Sequence, residues 1–331
     1  MKILLRYFYF CEPVARWRVF EAMLRRGLHE LGHEIIELEF DPSLAGDPPE
    51  AEFKILPHKC KRDAPSGDLF YKEMHMQGLF TIDHLGWGSD HSGLLSAPDL
   101  SGIDAKHAEA FCFGLREQFL STGHSKHRQP PLRTIDIRLK PYVLAPLQSP
   151  GDESVVFHSP IGVLEYIDVL SDWAEAARHN VVFKLHPGME FPDVAATVRA
   201  RAASGRHVFV VDENIHALIA ASEAVVVISS GVGFEGLIHG KPVVTLGNPD
   251  YRWVTCRVKV DELDSALADV KGYRPGDREA AYKFIYFYYH KHAYVTNGTA
   301  AEKSALLLLE YLHKVVGNDA GVRRFPGQAA S

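Results

Sequence analysis

Five short apolar segments alternate with helical patterns in the second half of the chain, and this alternation restricts the possible folds more than any other feature. The predicted strands are centred on Val143, Val181, Val208, Val225 and Val243. Segments that are apolar throughout, rather than at every second position, are typical of parallel strands covered by helices on both faces. Since crossovers in such sheets are right-handed, we expect ligand-binding loops along one sheet edge.

Apolar periodicity and the positions of glycine and proline give the bounds of the elements in this half. The predicted elements are, in order, a strand at 142–147, a helix at 161–178, a strand at 180–184, a helix at 192–203, a strand at 207–211, a helix at 215–221, a strand at 224–228, a helix at 234–239 and a strand at 242–246. Two further helices are predicted at 278–289 and 299–316.

The first half has a regular beginning and an irregular middle. A strand at 2–10, a helix at 14–31 and a strand at 34–40 form one βαβ unit, as expected for a doubly wound domain. The pattern weakens over 41–101, a stretch rich in Pro, Gly, His and Asp, so a long functional or mobile loop is predicted there. Helical character returns at 105–120.

A chain of 331 residues is long enough for two hydrophobic cores, because single domains usually contain about 100 to 200 residues. We therefore predict an α/β fold of two Rossmann-like halves that face a cleft, with C-terminal helices crossing back. The predicted division is an N-terminal, acceptor-binding domain at 1–140, a C-terminal, nucleotide-sugar-binding domain at 141–290, a helix at 291–316 that packs back on the N-terminal half, and a flexible tail at 317–331.

Composition excludes several classes of protein. The formal net charge of -6 argues against a nucleic-acid-binding surface, so an anionic ligand must be bound by local positive charge. The four cysteines have no C-x-x-C spacing, which indicates neither a zinc site nor a disulfide framework and favours a reducing cytoplasm. No apolar run reaches the about 18 residues of a membrane span, and no signal peptide is recognised, so work at a membrane is expected at its surface.

Two strand ends carry the side chains of a phosphate site. One strand ends in Lys-Leu-His-Pro at 184–187, and another opens into Ser-Ser-Gly-Val-Gly-Phe-Glu-Gly at 229–236. Hydroxyls, glycines and the unpaired amides of a following helix suit an anion. The segment has neither the Gly-Lys-Ser/Thr of a P-loop nor the G-x-G-x-x-G of dinucleotide sites. A strand-to-helix turn of small residues is the alternative, and the Lys-x-His-Pro segment favours the phosphate site over it.

Three blocks of this half resemble the capsule polysaccharide biosynthesis and export family, in particular the bacterial retaining β-Kdo glycosyltransferases. Residues 148–152 resemble its Q-x-x-x-D block, residues 184–187 its K-x-H-P block, and residues 229–247 its S-x-x-G-F-E-x-x-x-x-G-K-P-V block. The resemblance covers about 141–248 and implies a GT-B fold, whose C-terminal half holds the nucleotide of an activated sugar. It also implies CMP-Kdo as the donor substrate, with no metal and no other cofactor.

The resemblance assigns the chemistry to the first two blocks. Asp152 is the implied nucleophile of a double displacement, and Gln148 would orient it or touch the sugar. An aspartate at this place also suits a helix cap or a turn, and both interpretations stay open. Lys184 and His186 would face the phosphate of CMP and stabilise the leaving group. A structural histidine before a proline turn is the alternative for His186.

The third block is implied to hold the nucleotide. Ser229 and Ser230 would bind the phosphate together with the helix N-terminus, while Gly231 and Gly233 would let the backbone approach the ligand. Glu235 would accept hydrogen bonds from the ribose hydroxyls, or would be only a first-turn acid favoured by the helix dipole.

The acceptor site is predicted in the first half, where the resemblance is weaker. An anionic sugar needs a basic loop, and the candidates are Lys126, His127, Arg128, His84 and His91. The two Asp-His pairs at 83–84 and 90–91 match no standard metal-ligand spacing, so a polar lining is favoured over a metal site.

The combined prediction is a metal-independent, retaining β-Kdo glycosyltransferase. It would transfer Kdo to a lipid-linked or growing surface polysaccharide at the cytoplasmic face of the inner membrane, with peripheral contact to the membrane or to other assembly enzymes. Two alternatives stay open. One is a GT-B glycosyltransferase or epimerase with another nucleotide sugar, and the other is a non-catalytic capsule export or assembly protein. The chain also has the size of one module of a longer protein.

Overall fold

The computed structural model describes residues 1–7, 15–40, 47–48, 50–63, 68–187, 191–269, 273–298 and 300–317. It divides into two compact units, one formed by Met1–Ala97 with the chain from Tyr288 onward and the other by Pro98–Phe287. The boundary lies at residues 97–98 rather than at the predicted position 140, because the helix Ala105–Thr122 packs against the helix Pro275–Phe287. The predicted tail, apart from Gly317, lies outside the described residues.

The elements are named here in chain order. Among the described residues the strands are β1 (Lys2–Tyr7), β2 (Glu34–Glu39), β3 (Phe53–Pro57), β4 (Leu69–Glu73), β5 (Leu79–Asp83), β6 (Tyr142–Pro146), β7 (Asn180–Lys184), β8 (Val208–Val211), β9 (Ala224–Val227), β10 (Val243–Thr245), β11 (Cys256–Arg257) and β12 (Tyr294–Val295). The α-helices are α1 (Ala15–Glu30), α2 (Ala105–Thr122), α3 (Glu153–Val156), α4 (Val163–Ala177), α5 (Pro192–Ser204), α6 (Ile215–Ala221), α7 (Gly231–Ile238), α8 (Leu263–Ala268), α9 (Pro275–Phe287) and α10 (Ala300–Val316). A π-helical turn, Tyr288–His292, follows α9.

The first unit contains a six-stranded sheet with the order β12-β5-β4-β3-β1-β2. The pairs of β1 with β2, β1 with β3, and β3 with β4 are parallel, whereas β5 runs antiparallel to both β4 and β12. Helices α1 and α10 pack against each other, and their apolar residues share one core with the sheet. In that core Phe20 of α1 stacks on Phe80 of β5, with ring centroids 4.5 Å apart. The prediction that the C-terminal helix packs on the N-terminal half is confirmed.

The prediction of a long loop at 41–101 is wrong, because β3, β4 and β5 lie within it. Each of these strands has only five residues, and nearly all of their residues are buried. A strand buried on both faces has no polar and apolar alternation to reveal it. Gly78 permits the turn between β4 and β5, since its φ of +73° is unfavourable for other residues.

The second unit contains a parallel sheet with the order β11-β10-β9-β6-β7-β8. Its predicted strands and helices are confirmed to within three residues at each end, and α3, α8 and β11 are additional. The side chains of α4 and α5 cover the apolar face formed by the strands. Because β6 lies between β7 and β9, the segments that follow these three strands meet at one edge of the sheet. Within the described ranges no helix is long and apolar enough to span a membrane.

Candidate active site

Gln148 joins two of the sequence blocks at this edge of the sheet. It lies two residues beyond β6 and is 7% exposed. Its Oε1 accepts a hydrogen bond from the backbone amide of Ser229 at 3.0 Å, and its Nε2 lies 3.4 Å from Ser229 Oγ. Ser229 follows β9 and is itself buried. The first and third blocks are therefore in direct contact through side chains that water hardly reaches.

Asp152 is the N-cap of α3. Its Oδ1 accepts hydrogen bonds from the Ser154 amide at 2.9 Å and from Ser154 Oγ at 2.8 Å. The backbone at Asp152 is extended, as the cap position requires. The capping role that the sequence left open is therefore confirmed. Both bonds end on Oδ1, so Oδ2 of this partly exposed carboxylate lies outside the cap.

Ser154 connects the cap to the rest of the site, and the sequence analysis missed it. Its Oγ lies 2.9 Å from Ser229 Oγ, and its carbonyl oxygen accepts from Ser229 Oγ at 3.1 Å. Gln148 Nε2 approaches the same Ser154 Oγ at 3.4 Å. The local signal was the Asp-x-Ser spacing, because a serine two residues after a capping aspartate presents both its amide and its hydroxyl to the carboxylate. The contact with Ser229 had no local signal.

Helix α7 begins at Gly231, three residues before the predicted start. Ser230 is its N-cap, and Ser230 Oγ accepts from the Val232 amide at 3.3 Å. A Cβ on Gly233 would lie 2.3 Å from Tyr251 Oη, and Tyr251 donates a hydrogen bond to the Ser230 carbonyl. A side chain at position 233 would therefore clash with Tyr251, and the role of Gly233 in letting the backbone approach a ligand stays a prediction. The N-terminus of α7, with its positive dipole end, lies beside Ser229.

His186 lies among charged and polar neighbours from three segments. Its ring and that of His127 are edge to face, with centroids 4.7 Å apart. Burial lowers the pKa of His186, the carboxylate of Asp152 raises it, and the charge of Lys126 lowers it again. The net direction is downward, so the imidazole is neutral at neutral pH. Lys126 and His127 therefore belong to this site in the second unit and not to the N-terminal half, where they were predicted.

Glu235 is buried beneath Ser125 in the second unit. It is 2% exposed, and Ser125 Oγ donates to its Oε1 at 2.5 Å. Burial raises the pKa of Glu235 to about 7, although Ser125 and Lys126 each lower it. Its Oε2 atom is buried and has no hydrogen-bond partner among the described residues. Contact between Glu235 and ribose hydroxyls stays a prediction.

Lys184 lies at the end of β7 but makes an ion pair away from the other blocks. Its Nζ lies 3.1 Å from Asp212 Oδ1. The lysine side chain is 3% exposed, whereas that of Asp212 is 90% exposed. The described partner of Lys184 is therefore a carboxylate at the end of β8, and its contact with a phosphate stays a prediction.

The remaining acceptor candidates lie in both units. Arg128 is exposed in the second unit. His84 and His91 lie in the first unit, where their Nδ1 atoms are 3.4 Å and 3.9 Å from Asp83 Oδ2. Burial would raise the pKa of Asp83, but the hydrogen bond to His84 and the charge of His91 hold it well below its usual range. Across the described ranges, no three His, Cys, Asp or Glu side chains are grouped to hold a metal ion.

Comparison with known proteins confirms the family resemblance for the part of the chain that carries the three blocks. Residues 122–255 match the family described as capsule polysaccharide biosynthesis protein. The curated protein FixF of Sinorhizobium fredii (strain NBRC 101917 / NGR234) is 29% identical over 230 residues, which are 67% of this chain and 54% of that protein. The chain thus spans about half the length of this relative.

Two solved structures share the fold. A Thermosulfurimonas dismutans KpsC β-Kdo 2,7 transferase superimposes with a TM-score of 0.55 at 15% identity, covering 94% of this chain and 99% of that one. A β-Kdo 2,4 transferase of KpsC from the same organism gives a TM-score of 0.51 at 15% identity, covering 92% and 97%. The predicted α/β, GT-B-like fold class is confirmed.

Proposed function

Because residues 122–255 match the family described as capsule polysaccharide biosynthesis protein, we propose that the protein is a retaining glycosyltransferase that transfers Kdo from CMP-Kdo to a surface polysaccharide. One observation carries the proposal. Asp152 is fixed through Oδ1 by Ser154 and acts electrostatically on His186, at the edge where Ser229 and the N-terminus of α7 lie. A carboxylate with one oxygen held by the cap and one outside it, beside an anion-binding helix end, suits a displacement at a sugar phosphate.

In the first proposed step Asp152 Oδ2 attacks the anomeric carbon of the donor. A bond forms between this oxygen and the carbon, while the bond from the carbon to the phosphate oxygen breaks. The electron pair of the broken bond leaves with CMP. Ser154 and Gln148 keep the carboxylate in line during the attack, since both are held by Ser229.

The leaving CMP carries negative charge, and the site supplies positive partners for it. Lys126 lies close enough to His186 and Glu235 to shift the pKa of both. The N-terminus of α7 adds its dipole and backbone amides. This stabilisation grows as the bond breaks, which is the condition for a contribution to rate.

In the second proposed step a hydroxyl of the acceptor attacks the same carbon from the side that CMP has left. The bond to Asp152 Oδ2 breaks, and its electron pair returns to the carboxylate. His186 accepts the proton of the hydroxyl, because its imidazole is neutral and lies beside Asp152. Two inversions retain the configuration of the sugar.

The proposed acceptor is a lipid-linked or growing polysaccharide, and Arg128 is a candidate to bind its acidic sugars. The proposed place of work is the cytoplasmic face of the inner membrane.

The decisive experiment measures CMP release from CMP-Kdo and searches by mass spectrometry for Kdo bound to the protein. The wild type is expected to release CMP and to carry the adduct on the peptide that contains Asp152. Asp152→Asn keeps the cap oxygen but loses the nucleophile, so both signals should fall by at least about a thousandfold, in line with losses at catalytic groups. Asp193→Asn changes an exposed carboxylate in the first turn of α5 and serves as the matched control.

Three results would decide against parts of the proposal. Full activity of Asp152→Asn would refute the nucleophile. Turnover of an ADP-, GDP- or UDP-sugar in place of CMP-Kdo would assign another donor to the same fold. Nucleotide binding with no turnover of any sugar nucleotide would assign a binding role in polysaccharide export or assembly.

A further inference from the structure

The segment that carries Lys126 and His127 has no helix or strand of its own, yet the structure holds it in one place. We name residues 123–130 the basic strap. It follows α2 and passes the site with Ser125 buried and His127 exposed. Backbone outside regular elements must find its hydrogen bonds in side chains or water. The backbone carbonyls of the strap accept hydrogen bonds from side chains at the start of α6.

Asn214 is the principal tie of the strap, and it is 1% exposed. Its Nδ2 donates to the carbonyl of Gly123 at 2.8 Å and to the carbonyl of Pro130 at 2.9 Å. Its Oδ1 accepts from the His216 amide at 2.9 Å as the N-cap of α6. A side-chain amide has two N–H donors and one carbonyl acceptor, so all three functions are used. One side chain thus fastens both ends of the strap to the start of a helix.

Two further contacts fix the middle of the strap. His216 Nε2 lies 2.8 Å from the carbonyl of His124. Since a carbonyl only accepts, the Nε2 of His216 must carry the proton. Ser125 Oγ donates to Glu235. The two residues beyond these contacts, Lys126 and His127, therefore have a defined place beside His186.

Gly123 makes the tie possible. Its φ is +68°, and it ends α2 with its amide bonded to the carbonyl of Phe119 at 2.8 Å. A Cβ at this position would lie 2.9 Å from Asn214 Nδ2 and 3.1 Å from Leu132 Cγ. A larger residue would be strained in the left-handed region and would also displace the Asn214 amide. Gly123 and Asn214 form one fitted pair that the sequence separates by ninety-one residues.

We infer that Asn214 is a positioning residue for binding of the donor phosphate. By holding both ends of the basic strap, it sets Lys126 and His127 against His186 before the ligand arrives. The inference rests on the proposed function of the site. Ordering a loop in advance removes an entropic penalty from binding, so loss of the tie should weaken anion affinity more than it changes the chemical step.

The test uses Asn214→Ser in the full chain. Serine still caps α6, but it lacks the second donor and the length to reach the strap. We expect Kd for CMP and KM for CMP-Kdo to rise about tenfold with kcat changed less than threefold, the size of effect that 1.4 kcal/mol produces. Hydrogen exchange at strap amides should be faster. Gly123→Ala, which attacks the same tie from the other side, should give the same pattern.

Asn180→Ser is the matched control, because Asn180 Nδ2 also donates to a backbone carbonyl, that of Leu139 at 3.0 Å, at the other end of β7. It should leave Kd for CMP unchanged. If Asn214 has only a structural role, Asn214→Ser should have a lower melting temperature but an unchanged Kd for CMP and unchanged hydrogen exchange at the strap amides. This result would overturn the inference. Inorganic pyrophosphate serves as a second probe. If the wild type neither binds nor turns over CMP-Kdo but Asn214→Ser weakens pyrophosphate binding, the proposed donor is wrong and the positioning role of Asn214 is supported.

Discussion

Two buried histidines behind the strap predict how the second unit responds to acid. His216 Nδ1 lies 3.2 Å from His239 Nε2, and Phe119 stacks on His216 with centroids 4.3 Å apart. Since His216 donates through Nε2 to the strap, its Nδ1 must accept, and His239 must donate through Nε2. Burial lowers the pKa of His216 to about 4, and burial with the neighbouring charges lowers that of His239 to about 3.

The sign of the effect follows from the direction of these shifts. The unfolded chain binds a proton on each histidine near pH 6.5, whereas the folded chain does not until about pH 4 and 3. Each histidine therefore removes about 1.4 kcal/mol of unfolding free energy for every pH unit between 6.5 and its folded pKa. Glu235 opposes this, because its folded pKa of about 7 lies above its unfolded value, so it adds about the same slope as pH falls towards 4.5. Together the three groups leave the unfolded chain with about one more bound proton than the folded chain, so the free energy of unfolding falls by about 1.4 kcal/mol per pH unit between pH 6 and 4.5.

The perturbation is His239→Gln, which keeps a donor for His216 but removes one titrating group. The contribution of these three groups should then be nearly flat between pH 6 and 4.5. Urea unfolding of the wild type and the variant at four pH values in this range measures the slopes, which should differ by about 1.4 kcal/mol per pH unit. His107→Gln, on the exposed face of α2, is the control and should keep the wild-type slope. Equal slopes for His239→Gln and the wild type would refute the neutral buried pair.

Three further substitutions test other contacts. Gly233→Ala should lower the unfolding free energy by about 1 to 3 kcal/mol, the usual range for overpacking, and adding Tyr251→Phe should restore part of the loss in urea unfolding. Asp212→Asn removes the charge of the carboxylate that pairs with Lys184, and calorimetry measures its effect on Kd for CMP. If Lys184 binds the phosphate, the variant should bind CMP more tightly. If Lys184 only forms the ion pair, Kd should be unchanged. Ser154→Ala should reduce kcat for CMP-Kdo at least about tenfold, because it removes the hydroxyl that bonds both Asp152 Oδ1 and Ser229 Oγ and so loosens the carboxylate.

The sequence predicted the second unit well because its strands and helices each have a local signal. The apolar runs at β7 and β9 and the helix patterns between them were enough to place two motifs at one sheet edge. The same reasoning failed for β3, β4 and β5. Their runs have only five residues each, and β4 pairs in parallel with β3 but antiparallel with β5, so neither periodicity nor crossover rules applied.

Contacts between distant residues explain what was missed in the site. Gly233 was predicted to let the backbone approach a ligand, but the sequence did not show that its missing side chain also leaves room for the hydroxyl of Tyr251, eighteen residues later. Lys126 and His127 were assigned to the first half because they precede the predicted boundary. The ties from Asn214 and His216 that place them in the second unit depend on the folded chain, and single polar residues give no sign of such partners.

The structure also changes the question that the sequence posed about Asp152. Helix cap and nucleophile were alternatives for one residue, but a carboxylate has two oxygens, and here the cap uses Oδ1 alone. The cap restricts rotation of the side chain, so Oδ2 has a fixed direction at no further entropic expense when a donor binds. The surrounding bonds extend this restraint through Ser154 to Ser229 and Gln148, which follow different strands. In the proposed mechanism the capping role prepares Asp152 for attack, and substitutions that preserve Oδ1 but remove Oδ2 separate the two roles.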